Sequence, residues 1–262
     1  MSAELLSQKE HLSLKEAEGE AGHRTVLSIV GHLEELQKRL WVVIVSVAVA
    51  SIGGFYFADR LIEWLKRPAG ETLPKLAFFS PAEAVIAYLK IALSFGIVVS
   101  LPIILYELWA FIRPGLTERE RRYGLSFVFW GSFLFLSGAG FAYWILLPPS
   151  LTFLLSFGSR TLQPVISINH YLSFTSTVIL ACGVVFEFPL VIFFLTKLRV
   201  VTPRLLRKNW KIAFLAMVII AAIVTPTQDP VNLILMTLPL LLLYEISIFV
   251  SYLACHRREK DA

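Results

Sequence analysis

Cysteine is almost missing from this chain. Cys182 lies inside an apolar run and Cys255 near the C-terminus, which excludes a disulfide framework and a CxxC metal motif. Histidine is sparse too: His11, His23, His32, His170 and His256 stand apart from one another, outside the apolar spans drawn below. No HExxH, GxSxG or phosphate-binding loop is present. These absences argue against haem, a buried metal, nucleotide hydrolysis and nucleophilic catalysis. The expectation is a protein that is not an enzyme and needs neither cofactor nor metal.

Charge is the other scarcity. Asp, Glu, Lys and Arg make up 16% of the residues and apolar types 56%, against roughly a quarter and a half in an ordinary soluble domain. The charges are crowded into short segments between long apolar stretches. One soluble core cannot hide so many uninterrupted apolar runs, because cores stop growing near 250–300 residues. Lipid can solvate them.

A spanning helix takes about 20 apolar residues. Leu40–Phe57, Ala84–Ile112, Leu125–Leu147 and Leu172–Leu195 satisfy this. The apolar region from Ile212 to Cys255 is broken at TPTQDPVN, whose prolines and aspartate signal a turn. It divides into Ile212–Val224 and Leu233–Ala254. The fold class expected is an all-α integral membrane protein of six spans, the last two short. Residues 26–255 form one membrane domain. Residues 1–25 carry Glu4, Glu10, Glu16, Glu18 and Glu20 and no apolar run, so a disordered acidic tail is expected in place of a cleaved signal. Residues 256–262 form a second short tail.

Orientation follows from lysine and arginine near the span ends. With six spans, eighteen such residues fall on the side of both termini and five on the other. Both termini are therefore expected in the cytoplasm. The net charge of +5 is explained by this topology, and no nucleic-acid partner is implied. Between the first two spans, Leu61, Ile62, Trp64 and Leu65 suggest an interfacial helix, and Leu151–Phe157 supplies a further apolar patch on the outer face.

Three places could carry chemistry. In HLEELQKRL, residues 32–40, Ile29, Leu33, Leu36 and Leu40 form one helical stripe opposite Glu34, Glu35, Gln37 and Lys38. This is an amphipathic helix at the membrane surface leading into the first span. A topological anchor with an i,i+4 pair between Glu34 and Lys38 accounts for it. In RPGLTERERR, residues 113–122, Pro-Gly ends the preceding helix and Glu118 and Glu120 enter the first turn of the next. Helix capping explains those acids. So does a carboxylate held at the lipid surface to take an incoming guanidinium in a fork that lysine cannot copy. Glu187 and Glu245 lie within spans, with Glu107 and Lys90 nearer span ends. A carboxylate there costs at least a few kcal/mol and marks an interior contact or a wet cavity. A protonated glutamate bonded to a neighbouring helix is the alternative.

These segments resemble the TatC family, the multispanning receptor subunit of the twin-arginine protein translocase. The resemblance runs from His32 to Tyr252 through HLEELQKRL, SPAEA (80–84), SLPIILYELWAFIRPGLTERERR (100–122), FEFP (186–189), TPTQDP (225–230) and YEI (244–246). It implies a receptor that binds signal peptides of folded cargo and recruits single-span TatA- and TatB-type subunits and further copies of itself. Export would be driven by the proton-motive force across a bacterial inner membrane. By motif, Glu35 and Glu120 would recognise the arginine pair, with Leu116, Arg121, Arg122, Lys38 and Arg39 beside them. Glu187 and Glu245 would be intramembrane partner contacts, and Pro68 and Asp229 structural residues of the outer face. Gln37 stands where the family usually has a basic residue and Asn232 where glutamine is common. The competing expectation is a secondary transporter with Glu187 and Lys90 lining a solute path.

Overall fold

The structure, a computed structural model, describes residues 31–72, 76–115, 118, 120–156, 165–197, 200–224 and 230–260, with backbone alone at 71–72, 115, 120, 155–156, 224, 231–232 and 254–260. The described residues are helical throughout except for short connections. α1 covers Gly31–Tyr56. Then come α2 (Ala58–Lys66), α3 (Pro81–Ile112), α4 (Gly124–Phe141), α5 (Leu147–Ser156), α6 (Ile168–Phe186), α7 (Phe188–Lys197), α8 (Pro203–Lys208), α9 (Trp210–Val224) and α10 (Pro230–Lys260).

Among the described residues, five stretches are long and apolar enough to cross a membrane: Gly31–Tyr56, Pro81–Ile112, Arg121–Leu154, Ile168–Lys197 and Leu233–Leu253. A sixth, Trp210–Ile223, is shorter. The 15 residues of α9 rise only about 22 Å, against a hydrocarbon core of about 30 Å. Of the last two spans, both expected short, α9 is the shorter, and Leu233–Leu253, at 21 residues, is the shortest of the other five and lies within the longer helix α10.

Side-chain caps define where helices start. Ser80 precedes Pro81 in extended conformation and accepts from the Glu83 amide at 3.3 Å, while Glu83 Oε2 accepts from the Phe79 amide at 2.7 Å. Proline at the first position gives up an amide that has no helical partner anyway. Ser167 and Thr202 cap α6 and α8 in the same way. Ser80→Ala is expected to cost about 1 kcal/mol, read as a lower unfolding midpoint of the purified protein in detergent.

α4 passes through a π-helical turn at Ala142–Leu146 into α5. α3, α4 and α6 pack on one another, and α7 lies against α10, which also holds α8 and α9. One apolar core runs from Ile62 and Ala69 through Leu146, Leu172 and Cys182 to Met236 and Tyr244. A second joins Leu101, Leu105, Trp109, Phe127, Phe135 and Phe194. α1 is the outlier, with 6% of its apolar window buried. It meets α3 at two glycines: a Cβ at Gly96 would fall 2.8 Å from the Val47 carbonyl, and one at Gly54 2.9 Å from the Ala92 carbonyl. Such close backbone approach is how helices associate where lipid supplies no hydrophobic drive.

The expected interfacial helix between the first two spans is α2. It is tied down by Tyr143 and Tyr171, whose hydroxyls donate to the Trp64 and Leu65 carbonyls at 2.7 and 2.8 Å. The turn after it, Arg67–Thr72, packs on α5. Pro68 is half-buried in this turn, and Gly70 takes a positive φ of 58°.

Hydroxyls inside the spans are mostly satisfied by their own helices. Ser51, Ser94, Ser137, Thr175, Ser176, Thr196, Thr237 and Ser247 each donate to the carbonyl four residues back, at 2.6–2.9 Å.

Candidate functional site: a guanidinium between two carboxylates

The start of α1 and the end of α3 meet at one end of the bundle. His32 stacks on Phe111, ring centroids 4.4 Å apart. Two turns further along α1, Arg39 lies between two carboxylates. Its Nε and Nη2 both donate to Glu35 Oε1, at 3.2 and 2.6 Å, and its Nη1 donates to Glu107 Oε2 at 3.0 Å. The Arg39, Glu35 and Glu107 side chains are 25%, 36% and 14% exposed. Coulomb attraction is therefore less screened than at a free surface, most of all at Glu107. The i,i+4 pair that forms is Glu35 with Arg39, one residue on from the Glu34–Lys38 pair expected. The reason is tertiary: Arg39 faces α3, where Glu107 adds a second acceptor.

Lys38 is exposed beside this cluster. α3 ends at Ile112, followed by a tight turn at Arg113–Gly115, as the Pro-Gly signal requires. Glu120 opens a second tight turn, Glu120–Tyr123, which carries exposed Arg121 and Arg122. The Glu120 side chain lies outside the described residues, as do Leu116 and Asp229. Trp109, Phe127 and Phe194 pack at 4.6–5.3 Å, Phe194 edge to face with both others and Trp109 tilted on Phe127, and join α3, α4 and α7. Lys197 lies 5.8 Å from the Tyr123 ring. Lys38, Arg113, Arg122, Arg207 and Lys211, on the segments flanking these span ends, are all exposed.

Glu187 occupies the junction of α6 and α7. Its carbonyl accepts from the Leu190 and Val191 amides at 2.9 and 3.0 Å, so the chain turns there without leaving the span. Pro189, which has no amide to donate, accounts for the break. Both Glu187 carboxylate oxygens are buried and have no hydrogen-bond partner among the described residues. A Cβ at Gly131 of α4 would lie 3.3 Å from Oε2, so the carboxylate lies against that glycine. A groove of about 460 Å³ opens alongside, lined by Trp130, Pro189, Leu190, Phe193 and Ile246. Glu245, next to Ile246, is exposed on α10 on the same outward face as Leu242 and Phe249.

Lys90 does not approach Glu187. It bridges α3 to the start of α6, donating to Asn169 Oδ1 at 2.9 Å and Ser173 Oγ at 2.8 Å. A second groove, about 430 Å³, runs between α2, α3, α4 and α6, with Trp64, Ile91, Phe95, Leu136 and Trp144 in its walls. No group of three or more His, Cys, Asp or Glu side chains able to hold a metal ion occurs among the described residues. The residue that sequence reasoning did not place in the site is Glu107. Its signal was present, an acid near a span end, but its partner is 68 positions away.

The family model described as Sec-independent protein translocase protein (TatC) matches residues 31–239. A TatC protein of Helicobacter pylori strain J99 is 42% identical over 220 residues, covering 84% of this chain and 87% of the relative. A TatC protein of Aquifex aeolicus is 38% identical over 238 residues, covering 89% and 98%. A crystal structure of a twin-arginine translocase receptor, TatC, superposes with a TM-score of 0.75 at 38% identity, covering 86% of this chain and 99% of that one. With five apolar helices long enough to span and a sixth shorter one arranged as in that receptor, this chain is a multi-pass membrane protein and belongs to the Sec-independent protein translocase TatC family.

Proposed function

We propose that the chain is the receptor subunit of a twin-arginine translocase in a bacterial inner membrane. It takes the arginine pair of a signal peptide at its cation-rich, cytoplasmic end. The observation that carries this reading is the state of Glu35: at the membrane entry it already accepts a guanidinium, through two charge-assisted hydrogen bonds. Glu35 and Glu120 are assigned to the two peptide arginines, with Leu116, Lys38, Arg39, Arg121 and Arg122 completing the surface. The positive-inside distribution supports the orientation, since the arginines and lysines at this end mark the cytoplasmic side.

The partners are of two kinds. Signal peptides engage the α1–α3 end. Single-span TatA- and TatB-type subunits, and further copies of this chain, engage the membrane faces. Glu187 and Glu245 are assigned to the second kind. They stand within two residues of groove-lining Pro189 and Ile246, and a polar residue on a partner helix would give Glu187 the hydrogen bond it lacks. Pro68 and Asp229 are assigned to shaping the outer face. Short α9 favours a locally thinned bilayer, suited to cargo that no narrow helical bundle could pass. Transport of a small solute past Glu187 and Lys90 has no support, because Lys90 is committed at the far end to Asn169 and Ser173.

Binding of a labelled twin-arginine peptide to the purified chain in nanodiscs tests the receptor reading. Hydrogen bonds to charged groups contribute about 1.5–3 kcal/mol each, so Glu35→Ala and Glu120→Ala should each weaken binding about tenfold or more. A twin-lysine peptide should bind as poorly to the wild type. Equal affinity across all these arms would remove the guanidinium–carboxylate mechanism.

A further inference from the structure

Arg39 presents a contradiction at a site for arginine. A cation has no reason to contact another cation, yet its guanidinium is the best-held charged group of the described cluster. Its geometry suggests a different role. Nε and Nη2 converge on a single oxygen of Glu35, Oε1, at 3.2 and 2.6 Å, and Arg39 makes no use of Oε2. The third donor, Nη1, is held at 3.0 Å by Glu107, the less exposed of the two carboxylates and part of a different helix.

We propose that Arg39 is a resident stand-in for the incoming guanidinium, displaced from Glu35 when a peptide arginine arrives and retained by Glu107. The proposal rests on the receptor reading and assigns Glu107 as a positioning residue of that site. Three features of the cluster fit it. A peptide guanidinium can take both Glu35 oxygens in a parallel fork, which is stronger than two donors sharing one oxygen. Arg39 does not have to be released into lipid, because Glu107 already holds it. And Glu35 is never left without a cation, in either state. The exchange swaps one guanidinium for another, so its net free energy is the small difference between two pairings. A receptor that must later release its peptide benefits from that small difference.

The test is peptide affinity, measured on full-length protein in nanodiscs, for wild type, Arg39→Gln, Arg39→Lys, Glu107→Gln and the Arg39→Gln/Glu107→Gln pair. With the competitor removed, Arg39→Gln should bind the twin-arginine peptide about three- to tenfold more tightly. Arg39→Lys keeps the charge but not the fork, and should fall between it and wild type. This second variant guards against loss of fold, checked by the unfolding midpoint. Glu107→Gln takes away the second seat, leaves Arg39 on Glu35 and should weaken binding severalfold. That weakening should vanish in the double variant, where no Arg39 remains to reseat. A direct Glu107 contact with the peptide would weaken binding equally in both backgrounds and overturn the proposal. So would weaker binding by Arg39→Gln and Arg39→Lys, which would make Arg39 a support that Glu35 needs. Failure of the parent reading looks different: wild-type protein would bind twin-arginine and twin-lysine peptides alike.

Discussion

Replacing Glu187 with leucine is expected to stabilise the isolated protein and disable it. Both carboxylate oxygens are buried without a partner among the described residues. Leaving a buried polar group unmatched costs about 1–3 kcal/mol, and more if it is charged. Leucine fills similar volume without that cost, and an apolar replacement for a buried ionisable group is often neutral or stabilising. Glu187→Leu should therefore raise the unfolding midpoint of the purified chain. On the proposal above, the same change removes the buried polar contact offered to a partner helix beside Pro189. Co-purification of single-span partners should fall to background and export should cease. Glu187→Gln keeps a hydrogen-bonding amide and should recover part of the recruitment. If the leucine variant is destabilised and still recruits partners, the carboxylate is structural and its assignment as a partner contact is wrong.

The second large effect is expected at Gly96, where α1 crosses α3. A Cβ there would fall 2.1 Å from Ser51 Oγ, which can rotate away. It would also fall 2.8 and 2.9 Å from the Val47 carbonyl and the Ser51 amide, which cannot move without α1. Gly96→Leu should push α1 off α3 at a cost of about 1–3 kcal/mol, occasionally more. Since Arg39 and Glu107 sit on these same two helices, the ion pair should open and peptide affinity should drop as well. Gly53 supplies the control. It lies one residue from Gly54 on α1, yet nothing comes within 4 Å of its Cβ position. Gly53→Leu should leave both the unfolding midpoint and peptide binding unchanged. Similar losses from the two substitutions would mean that α1 is not held by close packing.

Much of this architecture was readable from residue order because lipid imposes simple rules. Apolar runs of sufficient length and Pro-Gly at 114–115 gave spans and ends that the structure reproduces, while the Ser80-Pro81 start, three residues before the expected Ala84, came only from the cap geometry. Glu187 stood out because a carboxylate and a proline two residues apart in a span are both costly. What could not be read was lateral: which face of one helix meets which face of another. Spacing within α1 allowed either Glu34–Lys38 or Glu35–Arg39, since both are four apart. Only Glu107, from a helix 68 positions on, selects the second.

The serine and threonine side chains along the spans bear on how protons could cross this protein. Relay along a file of hydroxyls requires each to accept a proton on one side and pass its own to the next. Ser51, Ser137, Thr175, Ser176 and Ser247 each commit their single hydrogen to a backbone carbonyl of their own helix. A carbonyl accepts a hydrogen bond but does not hand a proton on. These side chains thus insulate, and conduction along them would first require breaking a bond at every step. Any proton current that powers export has its conductor elsewhere than in this row of hydroxyls.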